Sequence, residues 1–361
     1  MGIFSSSSEC VAALVKSTLQ SASFLSLNTP YLSVMDVKSA TTKSKRLTIE
    51  MVSNIPCLHN QTVIEAQLLD LLKDVLNIEA VKLSLAFDAK RINRSETVPS
   101  IKQIVLVASG KGGVGKSTTA ANLALALAHG GANVGLLDAD IYGPSVPSMF
   151  GAAQEKALSQ DGKLLAPLVR HGIQTMSIGY LVSKEEATVW RGPMASRALG
   201  QLLNETNWGA LDYLVVDMPP GTGDIQLTMS GQVPVSGAVV VTTPQNLALN
   251  DAQKGISMFN KVDVPVLGVI ENMSYHQCSA CGHHDPVFGS DGGDALAGDN
   301  DVPLLGKLPL VAQIAMDIEA GVPTMLKPNS DLSAPYLDIA QALTIKLNQT
   351  NLTITTMATG E

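Results

Sequence analysis

From about residue 101 onward the chain alternates short, almost purely apolar runs with longer amphipathic ones. The runs at 104–108, 134–138, 213–217, 238–242 and 266–270 are rich in Val, Ile and Leu and carry no polar alternation until their last residue, and the short run 175–178 reads as a further strand of the set. Strands of that kind are buried on both faces, which predicts a mostly parallel sheet with helices on each side. The Ala/Leu-rich segment 119–128 and the segments 195–203 and 247–260 read as those helices. The fold class is therefore α/β, and ligands of such sheets sit at the carboxyl ends of the strands.

The first ninety residues follow a different pattern. A helix is expected over 10–19, an alternating strand over 46–52, a helix over 62–76 and a second alternating strand over 81–87, which together make a small N-terminal α/β domain. Residues 91–100 are polar, aperiodic and contain a proline, as a linker does. The expected organisation is thus a domain over 1–90, a linker over 91–100, the large domain over 101–350 and a flexible tail over 351–361, the last being Asn/Thr-rich.

With 361 residues there is ample chain for two cores of unequal size. The 24 basic residues are outnumbered by 32 acidic ones, for a net charge of −8, and no run of lysines or arginines occurs. Nucleic acid and anionic membrane are accordingly poor partners, and small molecules and proteins better ones. No apolar run approaches the ~18 residues of a spanning helix, and the N-terminus lacks a basic segment followed by an apolar one, so the cytoplasm is the expected location. The start Met-Gly-Ile-Phe-Ser-Ser loosely matches an acylation pattern but reads better as a frayed serine-rich terminus.

Between the strand at 104–108 and the helix at 119–128 lies Gly110-Lys111-Gly112-Gly113-Val114-Gly115-Lys116-Ser117-Thr118, a phosphate-binding loop in the strand–loop–helix setting that the motif needs. Glycines let the backbone wrap a triphosphate, and the helix N-terminus adds its positive end. Lys116 is placed to reach the β- and γ-phosphates of ATP, and the Ser117 hydroxyl to hold Mg²⁺. Lys111 lies too early in the loop for that duty.

Two strand ends carry carboxylates: Asp138 and Asp140 after the run 134–137, and Asp217 after 213–216, followed by Gly221 and Asp224. Asp217 is assigned to the Mg²⁺ shell, and Gly221 can swing its N–H towards a γ-phosphate. Asp138 or Asp140 would orient the attacking water, with Asp140 favoured because it lies further beyond the strand. Phosphoryl transfer needs positioning and charge stabilisation more than strong base chemistry.

A second centre lies at Cys278-Ser279-Ala280-Cys281 within a loop that also holds His276, His283 and His284. Two cysteines at this spacing can grip one metal centre, but two thiolates leave it half-ligated. Histidines could complete a zinc site, a second chain could supply another pair for one [4Fe–4S] cluster, or the pair could form a redox disulfide. Cys10 and Cys57 read as packing residues.

On the loop 110–118, the stretches 137–145, 191–194 and 216–224, and Asn272-Met273-Ser274 leading into Cys278 and Cys281, the chain resembles the Mrp (ApbC-type) iron–sulfur cluster carrier proteins. These are P-loop ATPases of the deviant-loop group that includes the MinD/ParA-like cell-division and partition ATPases. The resemblance runs through 101–347. It implies a P-loop NTPase fold and a homodimer in which Lys111 reaches the partner's nucleotide. It further implies a labile [4Fe–4S] cluster bridged by Cys278 and Cys281 of two chains, and transfer of that cluster to apo iron–sulfur proteins, with cluster scaffold proteins as further partners. Asn272 is carried over as an adenine contact, its amide able to donate and accept. A partitioning ATPase would want a basic amphipathic C-terminal helix, whereas 347–361 has one charge and that is acidic. An ATP-gated electron donor would draw its cysteines from distant parts of the chain rather than from one CxxC.

Overall fold

The computed structural model describes residues 8–26, 29–91, 98, 100–159, 164–182, 192–223, 226, 235–278 and 280–359. The chain divides into two compact units, one of Met1–Lys90 with His129–Ala132 and the other of Arg91–Ala128 with Asn133–Glu361.

In the smaller unit, β1 (Met35–Lys43), β2 (Arg46–Ser53) and β3 (Ala80–Phe87) form a three-stranded sheet in that order, β1 antiparallel and β3 parallel to β2. Helix α1 (Ser8–Leu19) buries Val11, Val15 and Leu19, and α3 (Gln61–Leu76) buries Ile64, Leu68 and Leu72, both at three- and four-residue spacing; a single turn, α2 (Tyr31–Val34), lies between them. The strand β1 is not expected from the sequence. Its polar Lys, Ser and Thr positions face outward at a sheet edge, where alternation is the only signal and edge positions weaken it. Cys57 is buried as expected, but Cys10 is exposed on α1, a correction to its reading as a packing residue.

The larger unit is built on a nine-stranded sheet in the order β11–β10–β9–β4–β8–β5–β7–β6, with β12 paired to β10. The central strands are β4 (Ile101–Ala108), β8 (Leu211–Asp217), β5 (Val134–Asp138) and β9 (Gly237–Thr242). They are parallel and almost wholly buried, as their continuous apolar composition requires. Antiparallel pairs occur only towards the edges among the described residues, where β6 (Leu168–Arg170) meets β7 (Ile173–Ser177) and β11 (His284–Asp285) meets β10 (Val266–Gln277).

Helix α4 (Lys116–His129) is buried on nearly every face, which explains its Ala/Leu composition. After the single turn α5 (Val146–Met149), helix α6 (Gly192–Asn204) packs Ala195, Leu199, Leu202 and Leu203 into the core, and α7 (Asn246–Lys261) contributes Ala252, Ile256 and Phe259. Each such Leu, Ile or Phe removed from water contributes about 1.5–3 kcal/mol. Helices α8 (Gly292–Asp299) and α9 (Ala312–Glu319) flank β12 (Leu304–Leu310) in sequence, and α10 (Ala334–Thr359) ends the chain. Helix α10 runs to Thr359, into the segment expected to be a flexible tail, because nothing in 351–359 breaks a helix. No helix among the described residues is long and apolar enough to cross a membrane.

The main departure from the sequence reading is β10. Its expected end is residue 270, with a polar loop beyond, yet the strand continues to Gln277. The polar residues are held because β12 on one side and β11 at the tip pair with them.

Candidate functional site

The loop between β4 and α4 opens a cleft of about 260 Å³ lined by Ser109, Lys111, Gly112, Gly113, Gly115, Lys116, Ser117 and Thr118, with Asp140, Gly143, Ser145, Met149 and Pro220 opposite. Of the other two loop residues, Gly110 and Val114, the Val114 side chain is buried. Two glycines are dictated by space. A Cβ on Gly110 would lie 2.1 Å from the Asp251 carbonyl carbon of α7, and one on Gly115, where φ is +79°, would lie 2.2 Å from Asn272 Nδ2.

At the cleft floor Lys116 Nζ donates to Asp217 Oδ1 at 2.5 Å and to Ser117 Oγ at 3.2 Å. Lys116 is 7% exposed and Asp217 not at all. The other carboxylate oxygen, Asp217 Oδ2, is buried without a hydrogen-bond partner. Burial pushes the Asp217 carboxyl up, against the opposing pull of Lys116 and the Ser117 hydroxyl. An orphaned anionic oxygen beside a hydroxyl is the donor set that a hard divalent cation takes, so these residues fit Mg²⁺.

Asp138 stands beside Asp217 in the paired strands β5 and β8. It is fully buried, and burial followed by the Asp217 charge raises its carboxyl. Its oxygens accept from Asp140 N–H at 3.2 Å, Ser145 N–H at 3.0 Å, Val146 N–H at 3.1 Å and Ser177 Oγ at 3.0 Å. Asp138 therefore shapes the 139–146 loop, while Asp140 lines the cleft itself and accepts from Gly143 N–H. Gly221, at φ +95°, donates its N–H to Ser109 O at 2.9 Å, so it must release that bond to reach a phosphate. The Asn272 amide donates to Val114 O at 2.8 Å and so braces the loop from below.

Cys278 and Cys281 lie in the turn of the β10–β11 hairpin. Cys278 N–H donates to His283 O at 2.9 Å and Gly282 N–H to Cys278 O at 2.8 Å, closing the turn. The backbone N–H groups of Ala280 and Cys281, then the Cys281 side chain, hold the Cys278 thiol below its ordinary value. Both cysteines are free, and Cys281 is exposed. His276 Nδ1 lies 3.1 Å from Leu310 O, and the His284 ring stacks on Tyr275 at 4.3 Å. Among the described residues no group of three or more His, Cys, Asp or Glu is gathered to hold a metal.

Comparison with known proteins decides the family. The profile described as NUBPL iron-transfer P-loop NTPase matches residues 100–344. The chain belongs to that family. It is 52% identical over 282 residues to the iron–sulfur cluster carrier protein of Haemophilus influenzae, covering 77% of this chain and 76% of the relative. It is 56% identical over 259 residues to the Escherichia coli K12 iron–sulfur cluster carrier protein, covering 72% and 70%. It is 48% identical over 262 residues to the mouse iron–sulfur cluster transfer protein NUBPL, covering 72% and 82%. Among solved structures, the nucleotide-binding protein of Archaeoglobus fulgidus in complex with ADP aligns with a TM-score of 0.56 at 37% identity over 63% of this chain and 89% of that one. The cell-division ATPase MinD of Pyrococcus furiosus, at 0.52 and 20% identity over 67% and 98%, shows the shared P-loop fold.

In this member of the iron-transfer family the fold brings Lys111, Gly112, Gly113, Gly115, Lys116, Ser117, Thr118 and Asp140 to one cleft, with Asp217 paired to Lys116, whereas Gly110 and Gly221 are not part of its lining. The cysteine pair stands apart, at the tip of the strand that carries Asn272. Arg191, Asp224 and Ser279 lie outside the described residues. Glu271 escapes sequence reasoning altogether: wholly buried, it accepts from Ser274 Oγ and Gly293 N–H, both at 2.5 Å. Its only sequence signal is a charged residue ending an apolar strand.

Proposed function

We propose that the chain hydrolyses ATP in the 110–118 cleft as a homodimer, and that Cys278 and Cys281 of two chains carry one [4Fe–4S] cluster and pass it to apo-proteins. The observation that carries this reading is the hairpin turn: two free thiols, Cys281 exposed and Cys278 partly so, the latter held below its ordinary pKa by backbone N–H groups, with no third protein ligand beside them among the described residues. Four thiolates complete such a cluster, and a two-fold dimer supplies them from one surface patch on each chain. The names of the relatives, iron–sulfur cluster carrier and transfer proteins, support the cargo, and the ADP complex of the Archaeoglobus protein supports the nucleotide.

In the cleft, the loop amides and the N-terminus of α4 bind the phosphates. Lys116 leaves Asp217 for the β- and γ-phosphates, and Asp217 with Ser117 would hold Mg²⁺. A bound Mg²⁺ neutralises charge on the transferred phosphoryl group. Asp140 orients the attacking water, Asp138 fixes the loop that aims Asp140, Gly221 N–H turns towards the γ-phosphate, and Lys111 reaches the partner's nucleotide. Asn272 keeps one face of its amide for adenine while the other braces Val114.

The test is a count of iron and acid-labile sulfide, with a visible spectrum, on protein reconstituted without oxygen. The reading expects about four irons per dimer. Stoichiometric zinc in each monomer, surviving dissociation of the dimer, overturns it.

A further inference from the structure

The two proposed sites are joined by one strand. Along its first half β10 pairs with β9 as far as Glu271 opposite Thr242, and with β12 as far as Glu271 opposite Lys307. The β12 ladder resumes with Tyr275 opposite Pro309, so four steps on β10 span two on β12. The excess chain, Asn272-Met273-Ser274, is a bulge, a device that re-aims side chains without ending a strand. Met273 sits within it at φ +54°, a conformation rarely held by a residue with a side chain.

The bulge is the part of β10 that touches the nucleotide loop. Asn272 Nδ2 donates to Val114 O at 2.8 Å, and there is no room for a Cβ between Gly115 and that amide. It is locked from beneath by Glu271, whose two oxygens accept separately from Ser274 Oγ and from the Gly293 N–H in the first turn of α8. Beyond it the strand is stiffened again by β12 and β11 and ends at Gln277, next to Cys278. At about 3.3 Å per residue, the cysteine turn lies within about 20 Å of Asn272.

We propose that the 272–274 bulge, locked by Glu271 and Ser274, couples the nucleotide loop to the cysteine turn, so that nucleotide binding changes the exposure and reactivity of Cys278 and Cys281. The proposal rests on the nucleotide and cluster roles given above. Any shift of Val114 on phosphate binding moves the Asn272 amide, and the bulge, an unpaired stretch between that amide and the cysteine turn, can convert that into reorientation of the strand tip. Glu271 and Ser274 act here as positioning residues and touch neither ligand.

The experiment uses the full chain, reduced and cluster-free. Binding of a fluorescent ATP analogue with Mg²⁺ is measured alongside the alkylation rates of Cys278 and Cys281 by iodoacetamide, read by peptide mass, with buried Cys57 as internal reference. In the wild type, nucleotide changes the Cys278/Cys281 rates about fivefold, the low end of ordinary coupling between sites. The change persists on serial dilution. Ser274→Ala and Glu271→Ala bind nucleotide but lose the response. Glu271→Gln retains it, because its amide can donate to Ser274 Oγ and its carbonyl accept from Gly293. A wild-type chain that binds nucleotide with no change at the cysteines overturns the coupling while leaving the proposed function intact. A response that vanishes on dilution shows shielding by a second chain and also overturns it, as does an undiminished response in both alanine variants. Failure to bind nucleotide at all overturns the ATPase reading itself, and the coupling with it.

Discussion

The buried Lys116–Asp217 pair sets up a sharp asymmetry. In Asp217→Asn the lysine keeps one acceptor but loses its counter-charge at a site only 7% exposed. Breaking a buried pair from one side costs about 3–5 kcal/mol, because the remaining charge stays desolvated. Removing Asp217 also relieves its repulsion of Asp138, which places the expected loss at the lower end, about 3 kcal/mol. For a unit of this size that is a fall of roughly 10 °C in Tm. ATP without Mg²⁺ should then rescue the variant more than the wild type. Its phosphates give the stranded lysine a partner, whereas in the wild type they must draw Lys116 away from Asp217 and leave the carboxylate bare. Adding Mg²⁺ should reverse the order, since only the wild type offers both Asp217 oxygens to the cation. Thermal denaturation of both proteins, free, with nucleotide alone and with nucleotide plus Mg²⁺, reads all six values. Equal Tm for the two free proteins, or identical nucleotide shifts with and without the cation, would refute the reasoning.

The converse variant, Lys116→Ala, should abolish most hydrolysis and make stability pH-dependent. Burial raises the Asp217 carboxyl above its unfolded value, so the stability it leaves is present at acid pH and is lost as pH rises through the folded value; denaturation midpoints should fall, relative to wild type, as pH rises above the ordinary carboxylate range. In the small unit, burial and then the neighbouring His129 push His59 down to about 4. Its folded value lies below the unfolded value of about 6.5, so stability is complete above that pH and is lost as pH falls towards 4, a dependence that His59→Gln should erase in an acid titration followed by circular dichroism. Gly115→Ala combines a left-handed backbone penalty of about 1–2 kcal/mol with displacement of the Asn272 bond worth about 1 kcal/mol, and should weaken nucleotide binding by roughly a hundredfold in a fluorescence titration. Lys111→Ala should lower turnover while leaving ATP binding to the monomer nearly intact, and mixing it with Lys116→Ala should restore activity; absence of complementation in any mixture counts against action across the dimer.

What was legible in the sequence is what is local. The strand–loop–helix around residues 110–118 and the aspartates ending β5 and β8 are short-range patterns, and each element falls within a few residues of its expected place. Strand β1 was hidden because half of it faces solvent at a sheet edge. The second half of β10 was hidden because its polar residues look like a loop until β12, thirty residues on in the chain, supplies the partner. The division of labour between Asp138 and Asp140 was only half visible. Distance beyond the strand favours Asp140 for the cleft, but the four hydrogen bonds that turn Asp138 into the support of the loop come from Asp140, Ser145, Val146 and Ser177, and only folding brings Ser177 there. Glu271 was invisible for the same reason, since Gly293 reaches it across more than twenty residues.

The central claim, that this chain carries a transferable cluster on Cys278 and Cys281, is tested most directly by transfer. Reconstituted protein is mixed without oxygen with an apo-enzyme whose activity requires a [4Fe–4S] cluster, in the presence of a chelator that captures free iron, and recovery of enzyme activity is followed. The account predicts rapid activation by the wild type. It predicts none by Cys278→Ser or Cys281→Ser, although both variants fold and bind ATP. Activation by either cysteine variant at the wild-type rate, or wild-type activation abolished by the chelator, would contradict it.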